Sequence, residues 1–222
     1  MIKIENLGKS YGPRTLWSGL DFTVQRGQLL ALVGPSGSGK STLLNCLGLL
    51  DSPSTGAIHH EGKDITGFGP GAARRYRRDV LGYLFQNYAL IENATVAANL
   101  EVAMKPRRKR GGSPTVADAL KRVGLDGREK EQVHRLSGGE QQRVALARLI
   151  VKEPALVLAD EPTGALDHEN TTLVVDILRT MSDDGCAVVI ATHNDAVRDR
   201  CDTVLAVGSA TEPGPVKNKE HA

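Results

Sequence analysis

The chain has 222 residues, 40% hydrophobic and 4% aromatic, with 28 Lys and Arg against 26 Asp and Glu for a net charge of +2. That length suits one α/β domain with a sizeable core, and the near balance of charge argues against a strongly charged partner such as nucleic acid. No apolar run approaches the ~20 residues that span a bilayer, and Met1-Ile2-Lys3-Ile4-Glu5 has neither the charged nor the apolar part of a signal peptide. A cytoplasmic chain is expected.

Three cysteines, Cys46, Cys186 and Cys201, lie far apart without CxxC or His-paired metal spacing, which fits a reduced compartment. Cys46 and Cys186 read as core thiols and Cys201 as the more exposed one. Residues 1–33 read as short strands: Ile2-Lys3-Ile4 and Leu20-Asp21-Phe22-Thr23-Val24 alternate, and Gly27 marks a turn before a buried strand at 29–33. Tyr11 is placed in the loop between the first two strands, beside Gly12-Pro13.

The buried strand leads into Gly34-Pro35-Ser36-Gly37-Ser38-Gly39-Lys40-Ser41-Thr42, and Leu43-Leu44-Asn45-Cys46-Leu47 follows with the density of a buried helix. Strand, glycine-rich turn and helix in this order have P-loop spacing. The glycines let the backbone fold round an anion, and N–H groups at the helix start point at phosphate oxygens. Lys40 is placed to reach the β- and γ-phosphates and Ser41 to bind Mg²⁺. This stretch is expected to bind a nucleoside triphosphate.

Asp51-Ser52-Pro53-Ser54-Thr55-Gly56 ends the helix region, and Ala57-Ile58-His59-His60-Glu61-Gly62 reads as a hairpin. Adjacent His59 and His60 diverge on a strand, so a solvated turn is favoured there over metal binding. Arg74, Arg75, Arg77 and Arg78 crowd a short helix before a strand at 81–85. With Tyr76 the sole interleaved aromatic, a solvated helix face is favoured over a nucleic-acid contact. From Gln86 to about Arg143 the pattern is helical, with apolar faces at Val96, Ala97, Leu100 and Met104 and at Val116, Leu120 and Val123. The basic stretch 105–114 between them reads as an exposed, mobile loop, with an anionic-lipid contact as the alternative. Strands at 155–159, 187–191 and 203–207 then alternate with helices, one around Asn170 to Met181, and the polar tail from Gly208 should fray.

Two further stretches carry chemistry. The apolar strand at 155–159 delivers Asp160 and Glu161 at its carboxyl end, where ligands bind in α/β sheets. Asp160 is expected to hold Mg²⁺ with Ser41, while Glu161, pointing the other way, can act as general base on a water. Leu136-Ser137-Gly138-Gly139-Glu140 fits a capping box through Ser137 and Glu140, and its paired glycines at a helix start add a second anion site. Two phosphate sites so far apart in sequence suggest that one serves a neighbouring subunit.

With these motifs in place, the chain resembles the nucleotide-binding domain of ATP-binding cassette (ABC) transporters from Ile2 to Val207, and Leu-Ser-Gly-Gly-Glu matches the family signature. The resemblance implies an α/β fold: a P-loop NTPase (RecA-like) core, an antiparallel β subdomain and an inserted α-helical subdomain. The first two would occupy 1–86 and 144–207, the insert 87–143, and a flexible tail 208–222. It implies ATP and Mg²⁺ as cofactors and an active ATPase. Tyr11 then corresponds to the aromatic that stacks on adenine, Gln86 to the glutamine linking Mg²⁺ and water to the transport machinery, and His193 to the switch histidine at the γ-phosphate. Gly164-Ala165-Leu166-Asp167 corresponds to the D-loop, so Asp167 joins the nucleotide-binding set with Gly34, Ser36 to Thr42, Ser137, Gly139 and Glu140.

The same resemblance implies a head-to-tail homodimer with ATP between the P-loop of one copy and Ser137 and Gly139 of the other. It also implies a separate transmembrane permease with an extracytoplasmic domain, received near Gln86, so that the chain sits peripherally on the inner face of the membrane. Within the family it is similar to the subgroup of macrolide exporters and lipoprotein-releasing systems. Phe85 to Asn93 looks closest to ATPases paired with exporters of the lactococcin-972 bacteriocin group. The alternative is a regulatory ATPase that drives a membrane-bound activator of cell-wall hydrolases without cargo. A soluble DNA-repair or translation member is disfavoured, because residues 43–135 carry no heptad run and the chain holds one cassette.

Overall fold

The computed structural model describes residues 1–104, 114–164 and 168–208. Two long strands open the chain, β1 (Ile2–Tyr11) and β2 (Arg14–Val24), followed by β3 (Leu29–Val33) and α1 (Lys40–Leu47). Then come β4 (Thr55–His60), β5 (Lys63–Asp64), α2 (Pro70–Asp79), β6 (Leu81–Leu84), α3 (Val96–Glu101) and α4 (Val116–Arg122). A 3₁₀ turn (Val133–Arg135) precedes α5 (Gly138–Lys152), and the chain continues through β7 (Leu156–Asp160), α6 (His168–Asp183), β8 (Ala187–Ala191), α7 (Asp195–Arg198) and β9 (Thr203–Ala206).

The strands form an antiparallel sheet ordered β2-β1-β4-β5 and a parallel sheet ordered β6-β7-β8-β3-β9. The parallel strands are continuous apolar runs because both faces are covered. Leu29, Ala31, Val157, Ala159, Val188 and Ile190 face one core shared with the helices, among them Val144, Leu146, Val174 and Leu178. Their sequence neighbours Leu30, Leu32, Leu156, Leu158, Val189 and Ala191 face the other, against Leu43, Leu44 and Leu47 of α1 and Ile4, Leu7 and Val24 of the antiparallel sheet. The period of two thus sends alternate residues to opposite layers. Each fully buried Leu, Ile or Val stabilises the fold by about 1.5–3 kcal/mol.

Register places the site. Leu84 pairs with Ala159, Ala159 with Ile190, and Ile190 with Ala31, so one row crosses four strands near their carboxyl ends. The residues just beyond that row emerge along one edge: Gln86, Asp160 and Glu161, Thr192 and His193, and Gly34.

Several expectations change. β1 and β2 are far longer than the alternating stretches of three and five residues suggested, with register irregularities that interrupt the alternation, and Tyr11 is the last residue of β1. The 86–143 region is not continuously helical: 86–95 is irregular, with turns and a bridge from Thr95 to Gln132, and α3 ends at Glu101, short of Met104. Val96, Leu100, Leu120 and Val123 do bury, in the same cluster as the sheet's helical face. Cys201 is 5% exposed, since α7 and the turn after it fold back on the core. The hairpin at 57–62 is present, its turn made by Glu61 and Gly62 at φ 50° and 77°. Among the described residues no cluster of His, Cys, Asp and Glu could hold a metal, and no helix is long and apolar enough to cross a membrane. Residues 105–113 and 209–222, with the basic stretch and nearly all of the tail, lie outside the described residues, as does Asp167.

Candidate active site

β3 ends at Val33 and the chain turns through Gly34 at φ 151°, where a Cβ would sit 2.3 Å from the Val207 carbonyl oxygen. Gly39, at φ 94°, is the N-cap of α1, and a Cβ there would meet the Trp17 indole nitrogen at 2.7 Å. Only glycine fits both positions. Trp17 donates from Nε1 to the Gly39 carbonyl at 3.4 Å and so supports the loop from behind. No side chain caps α1, which leaves its first-turn N–H groups for an outside acceptor. Lys40 Nζ donates to the Gly34 and Pro35 carbonyls at 2.8 and 3.2 Å, holding the ammonium inside the curl of the loop. Ser38 is buried, with Cβ against Gly208, so it contributes through its backbone more than its hydroxyl.

β7 delivers the two carboxylates. Asp160 Oδ1 accepts from Ser41 Oγ at 2.9 Å, bringing together two groups 119 residues apart. Burial pushes the Asp160 pKa up, the neighbouring Glu161 charge adds to this, and Ser41 and Lys40 oppose it. A cation beside this carboxylate would relieve that cost. Glu161 adopts φ 47°, a left-handed conformation costing on the order of 1–3 kcal/mol for a non-glycine residue. It is held by its N–H to the Ala191 carbonyl at 2.9 Å, and the Gly164 N–H reaches its own carbonyl at 3.2 Å. The His193 ring nitrogen Nδ1 lies 2.8 Å from Glu161 Oε2, and the His193 backbone N–H reaches the same oxygen at 3.4 Å. The Glu161 side chain is 17% exposed and the His193 side chain 70%, so the carboxylate is sheltered while the imidazole faces outward.

One cleft of about 770 Å³ collects Tyr11, Gly34, Ser36 to Thr42, Gln86, Glu161 and His193. Asp160 joins it through Ser41. Arg14 and Leu16 of β2 also line it and were not anticipated; an arginine three residues after Tyr11, across a Gly-Pro turn, was the available signal. Ser137, Gly139 and Glu140 do not line this cleft. They sit at the start of α5, where Ser137 is the N-cap and the capping box is closed. The Glu140 N–H donates to Ser137 Oγ at 3.3 Å, and the Ser137 N–H and hydroxyl both donate to Glu140 Oε2 at 2.8 Å. Arg128 donates to Glu140 Oε1 at 3.0 Å. Bonds from Ser137 and Arg128 hold the Glu140 carboxyl below its usual pKa range.

Gln86 lies in a turn whose backbone is held from α5. Arg148 donates to the Tyr88 and Ala89 carbonyls at 2.8 and 2.7 Å, at two residues with φ of 61° and 46°. Burial lowers the Arg148 pKa. Asn99 of α3 completes the clasp, exchanging bonds with both the Ile91 N–H and its carbonyl.

Comparison with known proteins agrees with this geometry. The family model described as ABC transporter matches residues 17–164. The lipoprotein-releasing system ATP-binding protein LolD 1 of Rhodopseudomonas palustris is 39% identical, over 93% of this chain and 96% of its own. The macrolide export ATP-binding/permease protein MacB of Escherichia coli is 36% identical over 99% of this chain, which spans 37% of that protein. A solved dimeric, post-hydrolysis state of the ATP-binding cassette MJ0796, bound to ADP and Pi, superposes with a TM-score of 0.88 at 30% identity, covering both chains completely. The chain therefore belongs to the ABC transporter family, as an ATP-binding, ATP-hydrolysing cassette similar to the LolD and MacB ATP-binding proteins.

Proposed function

We propose that the chain pairs head to tail with a second copy around two ATP molecules and converts ATP hydrolysis into motion of a separate membrane permease. The observation that carries this reading is the division of the phosphate-binding groups: the cleft holds the P-loop, Gln86, Glu161 and His193, while Ser137 and Gly139 lie outside it on α5. A neighbour's signature would complete each cleft, and the dimeric MJ0796 cassettes support that arrangement.

The nucleotide's phosphates lie against the Gly34–Thr42 loop, with Lys40 reaching the terminal phosphates and Tyr11 and Arg14 flanking the open side. Ser41, Asp160 and Gln86 form an all-oxygen donor set that suits Mg²⁺, a hard cation that keeps several waters and phosphate oxygens as ligands. When bound, the ion offsets charge developing on the phosphates. Glu161 takes the proton from the attacking water, and its constrained backbone holds the carboxylate in place for this. His193, bonded to Glu161, orients that carboxylate and reaches the γ-phosphate. Glu140, which caps α5 with Ser137, would approach the nucleotide from the second copy.

The permease contact is assigned to a groove of about 240 Å³ beside Gln86, lined by Leu50, Tyr83, Phe85, Ala89, Ala103 and Arg148, with exposed Ile91 and Val102 nearby. Through it the chain would sit peripherally on the inner face of the membrane. The names of the relatives, lipoprotein-releasing and macrolide export, support a release or export role; the extracytoplasmic permease domain follows from the resemblance to that subgroup, and the bacteriocin-exporter reading of Phe85 to Asn93 is a narrower case of it. The test is recovery of tagged Glu161→Gln protein from its native membranes with ATP. Co-purification of a permease with a large extracytoplasmic domain is the expected result, and recovery of soluble or ribosomal partners alone would overturn the transport role.

A further inference from the structure

Lys9 of β1 is 6% exposed, yet it carries a charge. Its ammonium donates to Asp51 Oδ1 at 2.8 Å and to the Ser52 carbonyl at 2.7 Å, and lies 4.5 Å from the centroid of the Tyr11 ring. The other Asp51 oxygen accepts the Tyr11 hydroxyl at 2.6 Å. Asp51 is tied to the end of α1, since its N–H donates to the Asn45 carbonyl at 3.2 Å. A continuous path therefore runs from the P-loop through α1 and Asp51 to Tyr11.

Withdrawing an ammonium from water beside an Asp51 side chain that stays 31% exposed is a poor way to gain stability, because desolvation offsets much of the attraction. Burial works against both charges here, and the bonds within the cluster outweigh it, raising the Lys9 pKa and lowering that of Asp51. Tyr11 has the opposite setting: 51% exposed, on the wall of the nucleotide cleft. A ring so exposed would lose rotamer freedom on stacking unless something fixed it beforehand. Here the hydroxyl is pinned at one end, and the ammonium covers one face, leaving the opposite face for a base.

We infer that Lys9 and Asp51 are positioning residues for nucleotide recognition, holding the Tyr11 ring as a preformed stacking platform at a set place relative to the P-loop. This rests on the reading of Tyr11 as the base-stacking residue. The consequence is selective: the anchor serves the aromatic base and leaves the phosphates to the loop.

The test compares equilibrium binding of ATP with that of inorganic tripolyphosphate, which has no base, measured by calorimetry on the full chain. Tyr11→Phe keeps the ring and removes only the anchoring hydroxyl. It should weaken ATP roughly three- to tenfold, the range that one lost hydrogen bond carries, with tripolyphosphate unchanged. Asp51→Asn should weaken ATP in the same selective way, and the double variant should bind ATP no worse than Asp51→Asn alone, since both changes remove one interaction. ATP affinity in Tyr11→Phe equal to the parent's, or equal losses for ATP and tripolyphosphate, would overturn the inference. Tyr11→Ala separates it from the reading beneath: unchanged ATP binding there would remove Tyr11 from base stacking altogether. A loss in Tyr11→Ala but not in Tyr11→Phe would remove only the anchor. Tyr11→Phe alters one exposed group, so the test stands even where Asp51→Asn disturbs folding.

Discussion

The starts of α1 and α5, the two helix N-termini proposed to meet phosphate, are finished in opposite ways. α1 follows a left-handed glycine, has no side-chain cap, and carries Lys40 folded over its own loop. α5 follows Ser137 and closes a capping box on itself, with Glu140 further tied to Arg128. The first end is incomplete without an anion. The second is partly closed on itself: the box occupies the Ser137 hydroxyl and the Glu140 N–H, so the Ser137 hydroxyl must turn from Glu140 to donate to a phosphate. On the proposed arrangement one copy holds nucleotide through α1, and α5 exchanges part of its own cap for a partner's phosphate.

The largest effect belongs to the α1 side. Glu161→Gln removes the proposed base while keeping the shape, and should slow ATP hydrolysis by roughly 10²–10⁴ with ATP binding retained. A steady-state assay beside a binding titration checks this, and full turnover would take Glu161 out of its role. Lys40→Ala acts on binding itself and should weaken ATP roughly ten- to a hundredfold, the cost of charge-assisted bonds to phosphate. Unchanged affinity would mean that the N–H groups of α1 suffice alone.

The smallest effect lies on the α5 side and depends on pH. The folded Glu140 pKa is depressed below the ordinary 4.5, so its contribution to stability is present above that value and is lost as pH falls through the folded pKa. Glu140→Gln keeps the cap's shape but cannot titrate. The parent should be more stable near neutrality by about 1 kcal/mol, a gap that closes in acid, as urea denaturation across pH would show. A gap independent of pH would remove the charge from the argument.

The two ends were legible in the sequence because each is local: Gly34 to Thr42 and Ser137 to Glu140 specify their turns and caps over a few residues. Asp160 and Glu161 were legible for the same reason, at the end of an unbroken apolar strand. What escaped reading depends on distant packing. Arg14 and Leu16 reach the cleft only because β2 runs back past the P-loop, and Trp17 supports Gly39 from the same strand. The turn after Gln86 puts Tyr88 and Ala89 in the left-handed region and not the neighbouring Asn87, and Arg148, some 60 residues later, holds those carbonyls. The burial of Cys201 likewise follows from how α7 docks.

The central claim is that each complete site draws α1 from one copy and α5 from the other. It is tested most directly by mixing two chains of distinguishable mass, both carrying Glu161→Gln and one also carrying Lys40→Ala. A photoreactive group on the γ-phosphate of bound ATP then reports which chain supplies the Ser137 segment. The account predicts labelling of that segment in the Lys40→Ala chain, which presents α5 to its partner's nucleotide. Labelling confined to the Ser137 segment of the chain with the intact P-loop would contradict it.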